Sequence, residues 1–264
     1  MSLPPILANK SPDQPSIFEP SALLRESRRQ KRLPEGMVPP ICILDPDGDI
    51  VRRLKSEGKT VRSTLWPCYH TELYEFRLAS EITGIIGCAV GAPFAVLVAE
   101  ELFACGCRML ISLTSAGQIV PVGKPPYFVI IDRALRDEGT SYHYALADTF
   151  AEADARIVAT AAQALAKAQL KAHIGASWTT DAPFRETAAA VEAARKIEVM
   201  TVEMEAAALY AFARAKGKDV LCLAHVTNTM GRSNEDFEKG EADGTTDALN
   251  VLDALVGAFR PSLR

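Results

Sequence analysis

Short apolar runs alternate with helical stretches along most of this 264-residue chain. Runs at 41–44, 108–113 and 219–228 have the length of buried strands. Segments at 92–106 and 205–217 have helical spacing and end at a glycine. Strands that alternate with helices form parallel or mixed sheets between helical layers. The pattern therefore predicts an α/β fold, a single domain with a central mixed β-sheet flanked by helices.

The first 38 residues differ from the rest of the chain because prolines punctuate them. Between the prolines lies SALLRESRRQKR (21–32), which predicts a short basic helix with Ser21 as its N-cap. We therefore predict an N-terminal extension over 1–38 and a main domain over 39–264. The basic helix can bind an anionic surface, but a solvated or subunit-packing face is favoured because the whole chain is acidic.

Composition excludes several classes of protein. The net charge is −4, which argues against nucleic acid as a partner. No apolar run approaches the ~20 residues of a membrane span, and the first residues lack the pattern of a signal peptide. Several of the six cysteines lie in apolar runs, as expected of free thiols in a reducing compartment. The sequence thus predicts a cytoplasmic protein without a membrane partner.

Polar residues gather where predicted strands end and helices begin, at 45–49, 114–118 and 203–205. Two polar loops, 132–144 and 177–187, add to them. In α/β sheets, ligands bind at such junctions. The composition of the junctions alone predicts an enzyme with a small-molecule site.

The segment VEMEAAALYAFARAKG (202–217) resembles part of the nucleoside phosphorylase superfamily. That family includes uridine phosphorylase, hexameric purine nucleoside phosphorylase and the methylthioadenosine nucleosidases. The resemblance implies that Glu203 and Glu205 bind the ribose hydroxyls and that Met204 packs on the sugar. The chemistry is suitable, since carboxylates accept hydroxyl donors and a flexible thioether covers an apolar face.

Four further segments resemble the same family, in the same order, so that the resemblance covers about 40–260. They are GCAVGAP (87–93), TSAGQI (114–119), ALRDEGTSYHYA (134–145) and SWTTDAPFRET (177–187). The third is similar to a stretch of uridine phosphorylase, and the resemblance implies a three-layer fold. It also implies that Thr114 and Ser115 bind phosphate and that the last segment contacts the base. The implied base-binding residues are Thr180, Asp181, Phe184 and Arg185.

The phosphate-binding elements depart from the family pattern. Phosphorylases of this family keep an arginine just before the phosphate loop, and Ser112 stands in its place. The Gly-Asp-Pro-Arg element is also altered, to DPDGD at 45–49. Arg52 and Arg136 are the candidates for the missing cation. The altered loop is closer to that of the nucleosidases, which use water.

A second departure concerns the leaving base. Purine-specific members place an aspartic acid near Asn228, and asparagine has no titratable proton to donate. A pyrimidine leaves as a carbonyl-stabilised anion, for which fixed hydrogen-bond donors suffice. We therefore name Asn228 and Glu205 as the catalytic candidates and favour a uridine-like substrate.

Together these features predict phosphorolytic cleavage of a ribonucleoside to free base and ribose 1-phosphate, a reaction of nucleoside salvage. Nucleoside and phosphate are the expected partners, with no metal or organic cofactor, and family analogy implies a homodimer or homohexamer. Three alternatives stay open: a hydrolytic nucleosidase with Asp47 or Asp49 as the water-activating base, a purine nucleoside phosphorylase, and a non-catalytic nucleoside-binding protein.

Overall fold

The computed structural model describes residues 3–229 and 239–260, and there it confirms a mixed sheet between layers of helices. Parts of the predicted extension and main domain, residues 1–2, 230–238 and 261–264, lie outside the described residues. The helices are α1 (Pro20–Lys31), α2 (Asp49–Ser56), α3 (Ala92–Ala104), α4 (Ala155–Lys167), α5 (Ala188–Lys196), α6 (Ala206–Lys216) and α7 (Thr245–Phe259). The strands are β1 (Ile41–Asp45), β2 (Val61–Arg62), β3 (Tyr74–Leu78), β4 (Glu81–Gly87), β5 (Met109–Gln118), β6 (Tyr127–Asp137), β7 (Phe150–Glu152), β8 (Ala172–Thr180), β9 (Val199–Glu203) and β10 (Asp219–Thr229).

Five strands of the sheet close into a ring. Strand β5 pairs with β10 in parallel and with β9 antiparallel. Strands β10, β6, β8 and β9 complete the circuit. Strands β1, β4, β3 and β2 extend the sheet on the other side of β5, and β7 pairs with β6. Strand β5 is therefore shared by the ring and the open part of the sheet: its residues 109–112 pair with β1 of the open part, and Gly117 and Gln118 pair with β9 of the ring.

Helices cover both faces of the sheet. Helices α1, α3 and α6 bury residues such as Leu24, Leu102 and Phe212 on one face. Helices α2, α4 and α7 bury residues such as Leu54 and Leu252 on the other. Burying one such side chain contributes roughly 1.5–3 kcal/mol, so both layers hold the sheet in place. The basic helix α1 packs against α3 through the first of these faces.

The strands run further than the sequence pattern predicts. Residues 114–118, predicted as a turn, continue β5, and residues 133–137 and 177–180, predicted as loops, continue β6 and β8. Some polar side chains there have hydrogen-bond partners in other strands: Thr179 donates to Glu203 of β9, and Gln118 accepts from Tyr127 of β6. Their polarity therefore does not mark a loop. The alanine-rich stretch 148–170, predicted to be helical throughout, begins with β7. Its helix starts only after Asp154, whose carboxylate accepts a hydrogen bond from the N–H of Arg156 at 2.8 Å.

Candidate active site

Glu203, the last residue of β9, joins three elements through a buried carboxylate. Its Oε1 accepts a hydrogen bond from the Thr179 hydroxyl at 2.5 Å. Its Oε2 accepts the backbone N–H groups of Glu205 and Ala206, both at 2.7 Å. The first N–H groups of a helix have no partner within it, so Glu203 acts as the cap of α6. Both oxygens of this carboxylate already serve the fold, even though burial raises the pKa of the Glu203 carboxyl.

Glu205, at the start of α6, is 1% exposed and only half satisfied. Its Oε1 accepts the N–H of Gly91 at 2.7 Å, whereas its Oε2 has no hydrogen-bond partner among the described residues. Burial, followed by the charge of Glu203, raises the pKa of Glu205 to about 8. An unsatisfied buried carboxyl oxygen is costly unless a ligand supplies a donor. With the half-buried Met204 beside it, Glu205 thus offers an acceptor to a hydroxylated ligand.

The predicted phosphate contact Ser115 is already occupied by a carboxylate of the same chain. Asp47 Oδ2 accepts both the backbone N–H of Ser115, at 3.0 Å, and its hydroxyl, at 2.5 Å. Asp47 lies in the turn between β1 and α2. That turn reverses at Gly48, with φ +76°, where a Cβ would lie 2.6 Å from the Cys88 sulfur. Glycine is therefore required to bring Asp47 onto β5.

A cavity of about 20 Å³ lies between this turn and the start of α7. A volume of this size holds about one water molecule. Burial raises the pKa of Asp45, one of its lining residues, to about 7. Within residues 3–229 and 239–260, no group of three or more His, Cys, Asp or Glu side chains is placed to hold a metal ion. The polar lining residues are Asp45, Asp47, Asp49, Thr114, Ser115, His225, Asp243 and Thr245.

His225, which the sequence analysis missed, lines the same cavity from β10. It is the Cα partner of Ser115 across the β10–β5 pairing, and its ring stacks on Phe128 at 4.5 Å. Its Nε2 is buried with no hydrogen-bond partner in the described part of the chain. Burial lowers the pKa of His225, which favours the neutral ring. The sequence did contain a sign of it. Leu221 and Leu223 point into the core from one face of β10, and His225 is the next residue on that face, where an apolar residue is expected.

The two predicted phosphate arginines lie in different surroundings. Arg52 forms an ion pair with Asp49 on the β1–α2 turn, and its side chain is 61% exposed. Arg136 is buried, and its Nε donates to the Ser141 hydroxyl at 2.8 Å. It also donates to the Leu146 carbonyl at 2.6 Å and lines a separate cavity of about 760 Å³. The structure thus places Arg52 near the Asp47 turn and commits Arg136 to the 141–146 segment.

The predicted base-binding residues divide into two groups. Thr180 is buried at the end of β8, and the Asp181 carboxylate accepts the N–H of Gly139 at 2.8 Å. Phe184 is 99% exposed, and Arg185 beside it is exposed as well. Their roles in binding the base stay predictions.

Asn228 lies near the end of β10, opposite Gly117 of β5, just after an irregularity in the pairing. Thr114, next to Ser115 on β5, is also buried at this edge of the sheet. The catalytic role of Asn228 and the phosphate-binding role of Thr114 likewise stay predictions.

Comparison with known proteins identifies the family. The model of the phosphorylase superfamily matches residues 40–257, and the chain belongs to that superfamily. The protein is therefore a pentosyltransferase of the nucleoside phosphorylase type, and the resemblance found in the sequence is confirmed. No helix in the described ranges is long and apolar enough to cross a membrane.

Three similar proteins illustrate the relationship. Uridine phosphorylase from Thermococcus kodakarensis is 26% identical over 78% of this chain and 83% of its own length. The solved structure of purine nucleoside phosphorylase from Toxoplasma gondii has a TM-score of 0.74 at 16% identity. That of uridine phosphorylase from Vibrio fischeri ES114 has a TM-score of 0.70 at 20% identity. Both structural matches cover 85% of this chain and 93% of the other, and they show the shared fold.

Proposed function

We propose that the protein cleaves the N-glycosidic bond of a ribonucleoside by phosphorolysis, with uridine as the favoured substrate. The observation that carries this proposal is the Oε2 of the buried Glu205, which has no hydrogen-bond partner within residues 3–229 and 239–260. A ribose hydroxyl would give that oxygen the donor that it lacks. The contact would orient the sugar above Met204, at the edge of the sheet where Thr114 and Ser115 lie.

In the proposed reaction, a phosphate oxygen forms a bond to the anomeric carbon of the ribose. The bond from that carbon to the base nitrogen breaks, and its electron pair leaves with the base. Glu205 holds a hydroxyl of the ribose and so fixes the position of the sugar while positive charge develops on it. The amide of Asn228 stabilises the negative charge on the base, as fixed dipoles do when charge develops beside them.

Two observations support a pyrimidine over a purine. Asn228 has no titratable proton to give to a purine nitrogen. The relative from Thermococcus kodakarensis, which matches most of the chain, is a uridine phosphorylase.

A second candidate function is hydrolysis of the same bond. It is favoured by the part of the site around Asp47, Ser115 and His225, which we call the acceptor side because the attacking phosphate or water would bind there. Asp47 holds both donors of Ser115, and the cavity beside them has room for about one water molecule. In this alternative, Asp47 would take a proton from water as the water oxygen bonds to the ribose.

The test is base release from uridine, inosine, adenosine and methylthioadenosine, with and without phosphate, followed by chromatography. Phosphate-dependent release of uracil with formation of ribose 1-phosphate is the expected result. Equal release without phosphate would establish the hydrolase, and preferential release from inosine or adenosine would establish a purine enzyme. The Glu205→Gln variant, purified in parallel, is the control: any base release that remains in it sets an upper limit on the activity of contaminating host enzymes.

We also infer a homodimer or homohexamer in a reducing cytoplasm. Large apolar side chains on the surface, such as Ile17, Phe18 and Phe184, support self-association. All six cysteines are unpaired, as that compartment requires. Light scattering coupled to size-exclusion chromatography measures the mass, and a monomer would contradict the inference.

A further inference from the structure

The acceptor side of the site contains a buried histidine to which the proposed reaction gives no role. We propose that His225 and Ser115 together form the phosphate subsite, and that the Asp47 carboxylate occupies this subsite until phosphate displaces it. The inference rests on the phosphorolytic function proposed above. It adds the imidazole of His225 to the N–H and hydroxyl of Ser115 as a phosphate-binding group, in a site where Ser112 replaces the expected arginine.

The placement of His225 supports its role as a ligand. It faces Ser115 across neighbouring strands, lines the same cavity and is 6% exposed. Its Nε2 is buried without a partner among the described residues. Stacking on Phe128 fixes the plane of the ring. A neutral imidazole carries one N–H, so His225 can add a third donor to the N–H and hydroxyl of Ser115.

The geometry of Asp47 shows why phosphate must displace it. Its carboxylate takes both donors of Ser115, and a phosphate oxygen seeks donors of the same kind. Two anions cannot share them without strong repulsion. The cavity of about 20 Å³ also holds about one water molecule, whereas phosphate has five heavy atoms. The subsite therefore becomes available only when Asp47 moves out.

Two cations that pair with Asp49, a residue of the cavity lining, offer the displaced carboxylate a new partner. Arg52 pairs with one oxygen of Asp49, and the Lys239 amine lies 2.5 Å from the other. Arg52 lies on α2, which follows the turn that carries Asp47, and Lys239 lies in the segment before α7. A rotation of Asp47 towards them would exchange hydrogen bonds to Ser115 for ion pairs.

Titration calorimetry with inorganic phosphate tests this inference on the full chain. Asp47→Ala should bind phosphate about tenfold more tightly than the wild type, because the competing carboxylate is gone. Adding His225→Leu to that variant should weaken phosphate binding about tenfold again. His173→Leu is the matched control, since His173 is exposed on β8 and absent from the cavity lining, and it should bind phosphate as the wild type does. Thermal unfolding of each variant verifies that it is folded.

Several outcomes would overturn the inference. Phosphate binding that is unchanged or weaker in Asp47→Ala would show that Asp47 does not compete. If adding His225→Leu to Asp47→Ala leaves the affinity for phosphate unchanged, His225 does not bind phosphate. Phosphate-independent base release that disappears in Asp47→Ala would instead make Asp47 the base of a hydrolase. If the wild type releases no base from any nucleoside, the proposed function fails, and the phosphate titrations still decide the roles of Asp47 and His225.

Discussion

The site has a sugar side, formed by Glu203 and Glu205, and an acceptor side, formed by Asp47, Ser115 and His225. The two sides share one arrangement, but the sugar side offers hydrogen-bond acceptors and the acceptor side offers donors. On the sugar side, Glu203 gives its carboxylate to Thr179 and to the first N–H groups of α6, whereas Glu205 has one oxygen without a partner among the described residues. On the acceptor side, Asp47 takes both donors of Ser115, whereas His225 has a ring nitrogen without a partner in that same part of the chain. Each side thus pairs a self-satisfied group with an unsatisfied one. On both sides, the group left open, and not its self-satisfied neighbour, is the one that we propose binds a ligand.

The largest effect is expected from Glu205→Gln. The variant keeps the volume of the side chain, and its carbonyl oxygen can keep the N–H of Gly91. The amide NH2 group then takes the position of Oε2, where it cannot accept a hydrogen bond from a ribose hydroxyl. Loss of one preorganised electrostatic contact costs about 10²–10³ in rate. We therefore expect kcat/KM for uridine to fall about 10²–10³-fold, measured by initial rates of uracil release. Glu192→Gln, on the exposed surface of α5, is the matched control and should leave the rate unchanged.

If kcat/KM falls less in Glu205→Gln than in Glu203→Gln, the roles of the two glutamates are the reverse of those proposed. That result would mean that the self-satisfied carboxylate, and not the open one, binds the sugar.

The effects of the two glutamates on the free energy of unfolding should follow the opposite order. Glu203→Ala leaves the hydroxyl of Thr179 and two N–H groups of α6 without their acceptor, and loss of a cap or a buried partner costs about 1–3 kcal/mol each. We expect the free energy of unfolding to fall by about 2–4 kcal/mol, measured by urea denaturation. Glu205→Ala removes the contact with the N–H of Gly91 but leaves the cap of α6 in place, and it should cost less. Equal losses would show that both carboxylates serve the fold equally.

The pH dependence of stability separates Glu205 from the rest of the site. Its pKa of about 8 in the folded state lies above its ordinary value of 4.5. The folded state therefore favours the protonated form, and this contribution to stability is full below pH 4.5 and is lost as the pH rises to about 8. Glutamine does not titrate, so the Tm of Glu205→Gln should rise relative to the wild type between pH 5 and pH 8.

An increase of at least about 3 °C in that difference is expected, since 1 kcal/mol changes the Tm of a domain of this size by about 2–4 °C. Thermal unfolding followed by circular dichroism at both pH values measures it. A constant difference would show that the Glu205 carboxylate is already well solvated or paired.

The two sides also differ in how far the sequence predicts them. On the sugar side, the Glu-Met-Glu segment lies at a strand-to-helix junction, so local pattern and family resemblance agree on Glu203 and Glu205. On the acceptor side, the contacts join residues far apart in the chain: Asp47 reaches Ser115 across 68 positions, and His225 meets Ser115 only through the pairing of β10 with β5. No local spacing encodes such contacts.

The same reason explains the errors in the strand ends. The ring of five strands supplies partners to polar residues at 114–118 and 177–180, and a sequence pattern read one segment at a time cannot include those partners. The alternation of strands and helices, which depends on local periodicity, did predict the layers of the fold.

The smallest effect is expected at Ser112, the residue that stands in place of the family's arginine. Its hydroxyl is buried and has no hydrogen-bond partner in the described residues, and it lies on β5 three positions before Ser115. An unpartnered hydroxyl stabilises nothing, so Ser112→Ala should change the free energy of unfolding by less than about 1 kcal/mol. It should also leave the affinity for phosphate unchanged, as measured by calorimetry beside Asp47→Ala. A clear loss of phosphate affinity in Ser112→Ala would mean that this hydroxyl turns towards the acceptor subsite when phosphate binds. In that case the serine would take over part of the arginine's role and bind phosphate together with Ser115 and His225.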